Sequence, residues 1–148
     1  MKRRLAREIT VQSLYQMEMN GVAAEEAVAM VLTEVKEENE TEIEIRNFSE
    51  MNTYVLSLVH GTWTHKERID QLLSEYLKNW QMDRLSRVDR QILRLACFEM
   101  VFSEDVPPKV VVNEAIDLAK HFGTDESGKF VNGVLGKMIR ELEQIKAN

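Results

Sequence analysis

Between positions 86 and 100 the chain reads SRVDRQILRLACFEM, and almost every mark of an amphipathic helix is present. Ser86 supplies a hydroxyl where a helix start needs an acceptor. Asp89 follows three residues later, the spacing of a capping box with Asp in place of the usual Glu. Val88, Ile92, Leu95 and Glu99 then lie along one side, and Leu93, Ala96 and Met100 widen the apolar stripe. Apolar residues recur here mostly at three and four, so the segment reads as helical.

The same period runs outward in both directions. Downstream, Pro107-Pro108 closes a loop, and Pro108 suits the first position of a helix. Val111, Ala115, Leu118 and Phe122 repeat at 4, 3 and 4, and Gly123 is expected to end that helix in the left-handed conformation. A polar link, Thr124-Asp125-Glu126-Ser127, leads to a last helix capped by Ser127 or Asp125, with Lys129 in its first turn. Its buried stripe is Val131, Val134, Leu135, Met138, Leu142 and Ile145. Upstream, helices are expected from about Arg3 to Met19, stopped by Asn20-Gly21, and from about Ala23 to Lys36. Two more run from about Ser49 to Thr62 and from about His65 to Asn79, with Gly61 near their junction. The acidic stretch Glu37 to Glu44 reads as an exposed connection. The expectation is therefore an all-α, single-domain bundle over residues 1–148, with about seven helices in two sub-bundles of about three and four.

Composition narrows the function. The chain has 148 residues, 44% hydrophobic and 30% charged, which suits one folded domain rather than a disordered chain. One cysteine, Cys97, excludes an internal disulfide and favours a reducing, cytoplasmic setting. No apolar run approaches the ~18 residues of a membrane span. Glu8, Gln12, Gln16 and Glu18 interrupt what would be the apolar stretch of a secretion signal.

No residue set offers catalysis, so no enzymatic activity, cofactor or metal is expected. His60 and His65 are five apart, about 140° round a continuous helix, and do not converge. Cys97 sits mid-helix with no adjacent histidine and is expected to be buried packing. Gly128-Lys129 lacks the upstream glycine of a phosphate-binding loop. Paired acids such as Glu37 and Glu38 lie in polar, solvated contexts.

Charge distribution is more telling than the total. Residues 1–7 hold Lys2, Arg3, Arg4 and Arg7 with no acid, so the formal −6 of the chain less this +4 leaves −10 for the rest. At 100° per residue, Ala6, Ile9, Thr10, Ser13, Leu14 and Met17 share a core face about 140° wide. Arg4, Arg7, Val11 and Tyr15 fall within about 80° on a different face, expected to be an exposed ridge with Lys2 and Arg3 at its leading end. Guanidinium groups beside a phenol suit unpaired RNA, through phosphate contacts and base stacking. Cations at a helix N-terminus oppose the macrodipole, which points to an anionic partner there. A solvated basic tail and a half-buried boundary Tyr15 are the plain structural alternatives.

Three blocks carry a resemblance. The first is Arg3-Arg4-Leu5-Ala6-Arg7-Glu8 with Gln12, Leu14 and Tyr15, and the second runs from Leu85 to Ala96, followed by Glu99. The third runs from Asn113 to Lys120, then Phe122-Gly123 and Ser127 to Leu135. Across essentially its whole length the chain resembles the NusB family of bacterial transcription antitermination factors, and the third block is the most specific. The resemblance implies an all-helical, non-catalytic protein that binds the boxA element of nascent ribosomal RNA leaders jointly with ribosomal protein S10 (NusE). It would reach the RNA polymerase elongation complex indirectly, as a monomer or a homodimer. By motif position it implies RNA contacts at Arg3, Arg4, Arg7 and Tyr15, with Lys2 beside them. It adds Glu126, Lys129 and Phe130, with Phe122 adjacent, and Asp89 as a polar base contact. Phe122 and Phe130 are equally core candidates, and the stretch from Val22 to Asn47 matches no block. Two further readings stay open: a protein–protein adaptor or homodimer that uses its helical faces without RNA, and a stand-alone relative of the helical domain preceding some RNA cytosine methyltransferases.

Overall fold

The computed structural model describes residues 2–38, 45–77 and 85–147, with backbone only for 45–47. Every regular element among them is helical. In chain order these are α1 (Arg3–Asn20), α2 (Ala24–Glu38), α3 (Ile45–Thr64), α4 (Lys66–Ser74), α5 (Arg87–Cys97), a π-helical turn (Phe98–Phe102), α6 (Pro108–Phe122), α7 (Asp125–Arg140) and α8 (Leu142–Ala147). The chain divides into two compact units, Met1–Trp63 and Thr64–Asn148. The all-α expectation holds. The expected acidic connection lies outside the described residues from position 39 onward, and Glu37 and Glu38 themselves belong to α2. The fourth helix, expected to reach about Asn79, ends sooner, at Ser74, where Glu75 and Tyr76 donate to the carbonyls three residues back, Leu72 and Leu73, and tighten the last turn.

In the first unit, the six residues assigned to the core face of α1 are all buried. The apolar four, Ala6, Ile9, Leu14 and Met17, cluster with Ala24, Ala27, Val28, Val31 and Leu32 of α2 and Met51, Val55 and Val59 of α3. Two core-face positions are hydroxyls, which packing tolerates because each is satisfied locally. Thr10 Oγ1 donates to the Ala6 carbonyl and Ser13 Oγ to the Ile9 carbonyl, both at 2.8 Å. Gly21 ends α1 as expected, at φ +67°, with its N–H donating to the Met17 carbonyl at 3.0 Å.

In the second unit α5 is the central element. Gln91 through Cys97 are buried without interruption, so the helix has lost a solvent side over two turns. Ser86 caps it as expected, its Oγ accepting the Asp89 N–H at 3.1 Å. The α-helix gives way at Phe98 to the π-helical turn, which the 3.6-residue pattern does not reveal because the apolar spacing continues through it. The histidines go to different places. His65 stacks on Phe102 with ring centroids 4.3 Å apart, whereas His60 Nε2 lies 2.8 Å from Glu25 Oε1 in the first unit.

Two expectations for the last helices are corrected. Gly123 follows α6 at φ −127°, not in the left-handed region. It is required by space instead: a Cβ there would fall 2.6 Å from Ser127 Oγ and 3.0 Å from the Ala119 carbonyl oxygen. The single last helix is two, because Glu141 at φ −108°, ψ 12° separates α7 from α8. All six stripe residues are nonetheless buried, since the break preserves their side.

Arg94 carries the largest polar burden of the core. Its Nε and Nη2 donate to the two carboxylate oxygens of Asp70 on α4, each at 2.9 Å, a parallel fork. The Arg94 side chain is 6% exposed and that of Asp70 28%, so water reaches the acid and scarcely the guanidinium. Asp70→Ala is expected to cost about 2–4 kcal/mol by stranding that guanidinium, read as a lower urea midpoint. A midpoint unchanged from the native protein would mean the fork does not hold α4 to α5.

Candidate nucleic-acid interface

The basic start of α1 lies in the first unit. Lys2 occupies the cap position in extended conformation and provides no side-chain cap, and the first turn contains no acid. Positive side chains and the positive pole of the helix thus coincide. Lys2, Arg3 and Arg4 are exposed. Arg3 lies along the ring of Tyr54 on α3, with its guanidinium carbon 5.3 Å from the centroid and Nη1 donating to the phenol oxygen at 3.3 Å.

The expected exposed ridge is not there as drawn. Arg7 is 3% exposed and Val11 1%, so the middle of that face is covered, and Tyr15 is half-buried. Helical angles separate one face from another but do not report how many faces are packed. Here α1 is buried on both. The accessible basic surface is the leading end, not a stripe running down to Tyr15. Tyr54 is the aromatic that the sequence did not offer. It sits 51 positions from Arg3, and no local spacing could have joined them.

The second unit brings together the other candidates, Asp89, Phe122, Glu126, Lys129 and Phe130, around the starts of α5 and α7. Thr124 caps α7, accepting the Ser127 N–H on Oγ1 at 3.4 Å, where Ser127 or Asp125 was expected to cap. Thr124 wins because it is extended (φ −132°, ψ 176°), the geometry a cap needs. Lys129 is therefore the fifth helical residue, beyond the first turn and its free N–H groups. It reaches back to Glu126 at 3.5 Å, with side chains 75% and 83% exposed, a pair worth little in water. Phe122 and Phe130 are half-buried, and His121 meets Phe122 edge-on at 5.0 Å. The stem of Lys120 lies across Gly128, where a Cβ would fall 2.8 Å from Lys120 Cγ.

Asp89 is half-buried between these elements. Burial pushes its carboxyl above the ordinary range, against the opposing effect of hydrogen bonds from the Ser86 and Ser127 hydroxyls. Cys97 is buried, and burial, followed by the charge of Asp70 and opposed by Arg68, pushes its thiol up to about 12. It stays protonated and inert at neutral pH. No group of His, Cys, Asp and Glu among the described residues has the arrangement of a metal site, and no described helix is long and apolar enough to cross a membrane.

Residues 4–140 match the model of the NusB family, and the chain belongs to that family. It is 43% identical over 144 residues to the transcription antitermination protein NusB of Bacillus subtilis (strain 168), covering 97% of this chain and 99% of that one. A solved structure of NusB from T. maritima superposes with a TM-score of 0.80 at 32% identity, covering 95% of this chain and 92% of its own. A crystal structure of the antitermination factors NusB and NusE in complex with dsRNA gives 0.76 at 29% identity, covering 95% and 98%.

The elevated Asp89 carboxyl has a defined sign. Its proton binds more tightly in the folded chain than in the unfolded one, so its contribution to stability is complete below the ordinary carboxylate range. That contribution is lost as pH rises through the folded midpoint. Carboxyl-carbon NMR should place the Asp89 midpoint above the ~3.9 of an unperturbed aspartate. A midpoint at or below that value would mean the two hydroxyls outweigh burial.

Proposed function

We propose that this protein is a non-catalytic, cytoplasmic transcription antitermination factor that binds boxA RNA of nascent ribosomal RNA leaders together with ribosomal protein S10 (NusE). The observation that carries the reading is the uncapped, acid-free start of α1, where Lys2, Arg3 and Arg4 are exposed on a chain of formal charge −6. Stability alone favours acids at that position, each cation there costing up to ~1 kcal/mol at low salt. A phosphate chain reverses the sign of that cost. Near-complete coverage of an antitermination protein at 43% identity, and a family fold crystallised with NusE and dsRNA, support the same assignment.

In this reading Lys2, Arg3 and Arg4 hold phosphates, while the Arg3–Tyr54 pair and half-buried Tyr15 offer flat partners for bases. Lys129, Glu126, Phe122 and Phe130 form the second contact region. Arg7, buried, supports that end of α1 from beneath. The body repels nucleic acid elsewhere, so binding is confined to a few cations and depends steeply on salt.

Affinity for a boxA-type single strand, measured with S10 present, should fall with a log–log salt slope of about −2 to −3, for three to four phosphates at ~0.7 each. Lys2→Ala with Arg4→Ala should reduce that slope by about 1.4. A scrambled strand and a duplex of the same sequence complete the comparison. Equal affinity for boxA and scrambled strands, or a slope untouched by the double substitution, would overturn the assignment.

A further inference from the structure

Lys120 belongs to the most specific block of the sequence, and neither spacing nor charge gives it a role there. Its stem accounts for a glycine. Gly128 is buried within α7, and its N–H donates to the Thr124 carbonyl at 3.2 Å. It thus stands inside the helical ladder, where alanine is the more favourable residue. A Cβ at this position would fall 2.8 Å from Lys120 Cγ, 3.4 Å from Cδ and 2.9 Å from Cε. These are the nearest atoms outside the helix's own backbone, so the length of the stem, and not its tip, occupies the space of the missing methyl. The other glycines of α7 are open. A Cβ on Gly133 would meet nothing within 4 Å, and one on Gly136 only Asn132 Oδ1 at 3.8 Å. Lys120 is exposed even so: its carbons lie on α7, and its ammonium, one bond beyond Cε, is left in water.

We infer that Lys120 binds a backbone phosphate of the RNA, its stem held in the groove that Gly128 opens in α7. This rests on the RNA-binding reading above and adds a cation to its second contact region. A lysine ammonium has three donors and no acceptor, and so suits a phosphate oxygen. Lys129, the cation already assigned to that region, shares its charge with Glu126 at 3.5 Å. Among the described residues no carboxylate comes within ion-pair distance of Lys120. An unsupported lysine gives up rotamer freedom when it meets an anion. Packing on α7 has already removed part of that freedom, so less is lost on binding.

The test uses the full chain, with Lys120→Met, Gly128→Ala and their double variant, against a boxA-type single strand with S10 present. Methionine keeps an apolar stem on the groove and removes the charge. Lys120→Met should therefore reduce the log–log salt slope by about 0.7, a loss of about fivefold in affinity at roughly 0.1 M salt, with the urea midpoint unchanged. Gly128→Ala fills the groove and pushes the stem aside. Affinity should fall about two- to threefold, while the urea midpoint stays at or above the native value, because alanine favours the helix. The double variant should bind like Lys120→Met alone, since the groove acts only through the lysine.

An affinity and slope left unchanged by Lys120→Met would mean that the ammonium meets no phosphate, overturning the inference while native binding kept the functional reading intact. A lower midpoint in Gly128→Ala, or losses that multiply in the double variant, would make Gly128 a packing position independent of Lys120, and the groove would lose its role. Absence of boxA binding by the native protein would instead sink the functional reading itself, and the phosphate contact with it.

Discussion

Seven consecutive residues of α5, Gln91 to Cys97, are buried, and a helix so placed must find partners inside the protein for every polar group it carries. The heaviest demand comes from Arg94. A guanidinium in that position is tolerable only with both edges of its fork occupied, and Asp70 occupies two donors in parallel. The geometry of the second unit follows from this demand. α4 must approach α5 at the level of Asp70. Cys97 belongs to the same account: deep enclosure makes its thiol a small apolar group.

The first unit obeys a different logic. Its core is ordinary, with aliphatic stripes from three helices and hydroxyls turned back on their own carbonyls. Its departure from stability lies at one end, where α1 begins without cap or acid and with cations crowded onto the positive pole of the helix. A core that is well satisfied can carry an end that is not. The Arg3–Tyr54 contact shows how the strain is managed in the free protein, since the ring face gives one guanidinium a partner without neutralising its charge.

How far the sequence could be read follows from the range of each interaction. Periodicity is local, so helices, the Ser86 cap, the Gly21 stop and nearly every core position were visible in it. Arg7 was not, because a wheel gives angles and says nothing of which angles are covered, and a long apolar stem lets a charged residue follow its neighbours inward. Gly123 was identified as special for the wrong cause: a turn signal and a close approach both select glycine, and composition does not distinguish them. The Thr124 cap was missed among four consecutive polar residues, three of which could serve. Tyr54 beside Arg3 is a pairing 51 positions apart with a whole helix between, and no spacing rule spans it.

The π-helical turn at Phe98–Phe102 bears on how this chain can vary. Such a turn accommodates one residue more than the surrounding helix would, and here it directs the rings of Phe98 and Phe102 toward His65. Removing one residue would close the turn back into α-helix and leave the chain beyond it in nearly the same direction, because the π turn is what absorbs that residue. What would change is the ring presented to His65. The length of this segment is therefore as open to change by one residue as its side chains are to exchange, and the cost would fall on the stack with the imidazole.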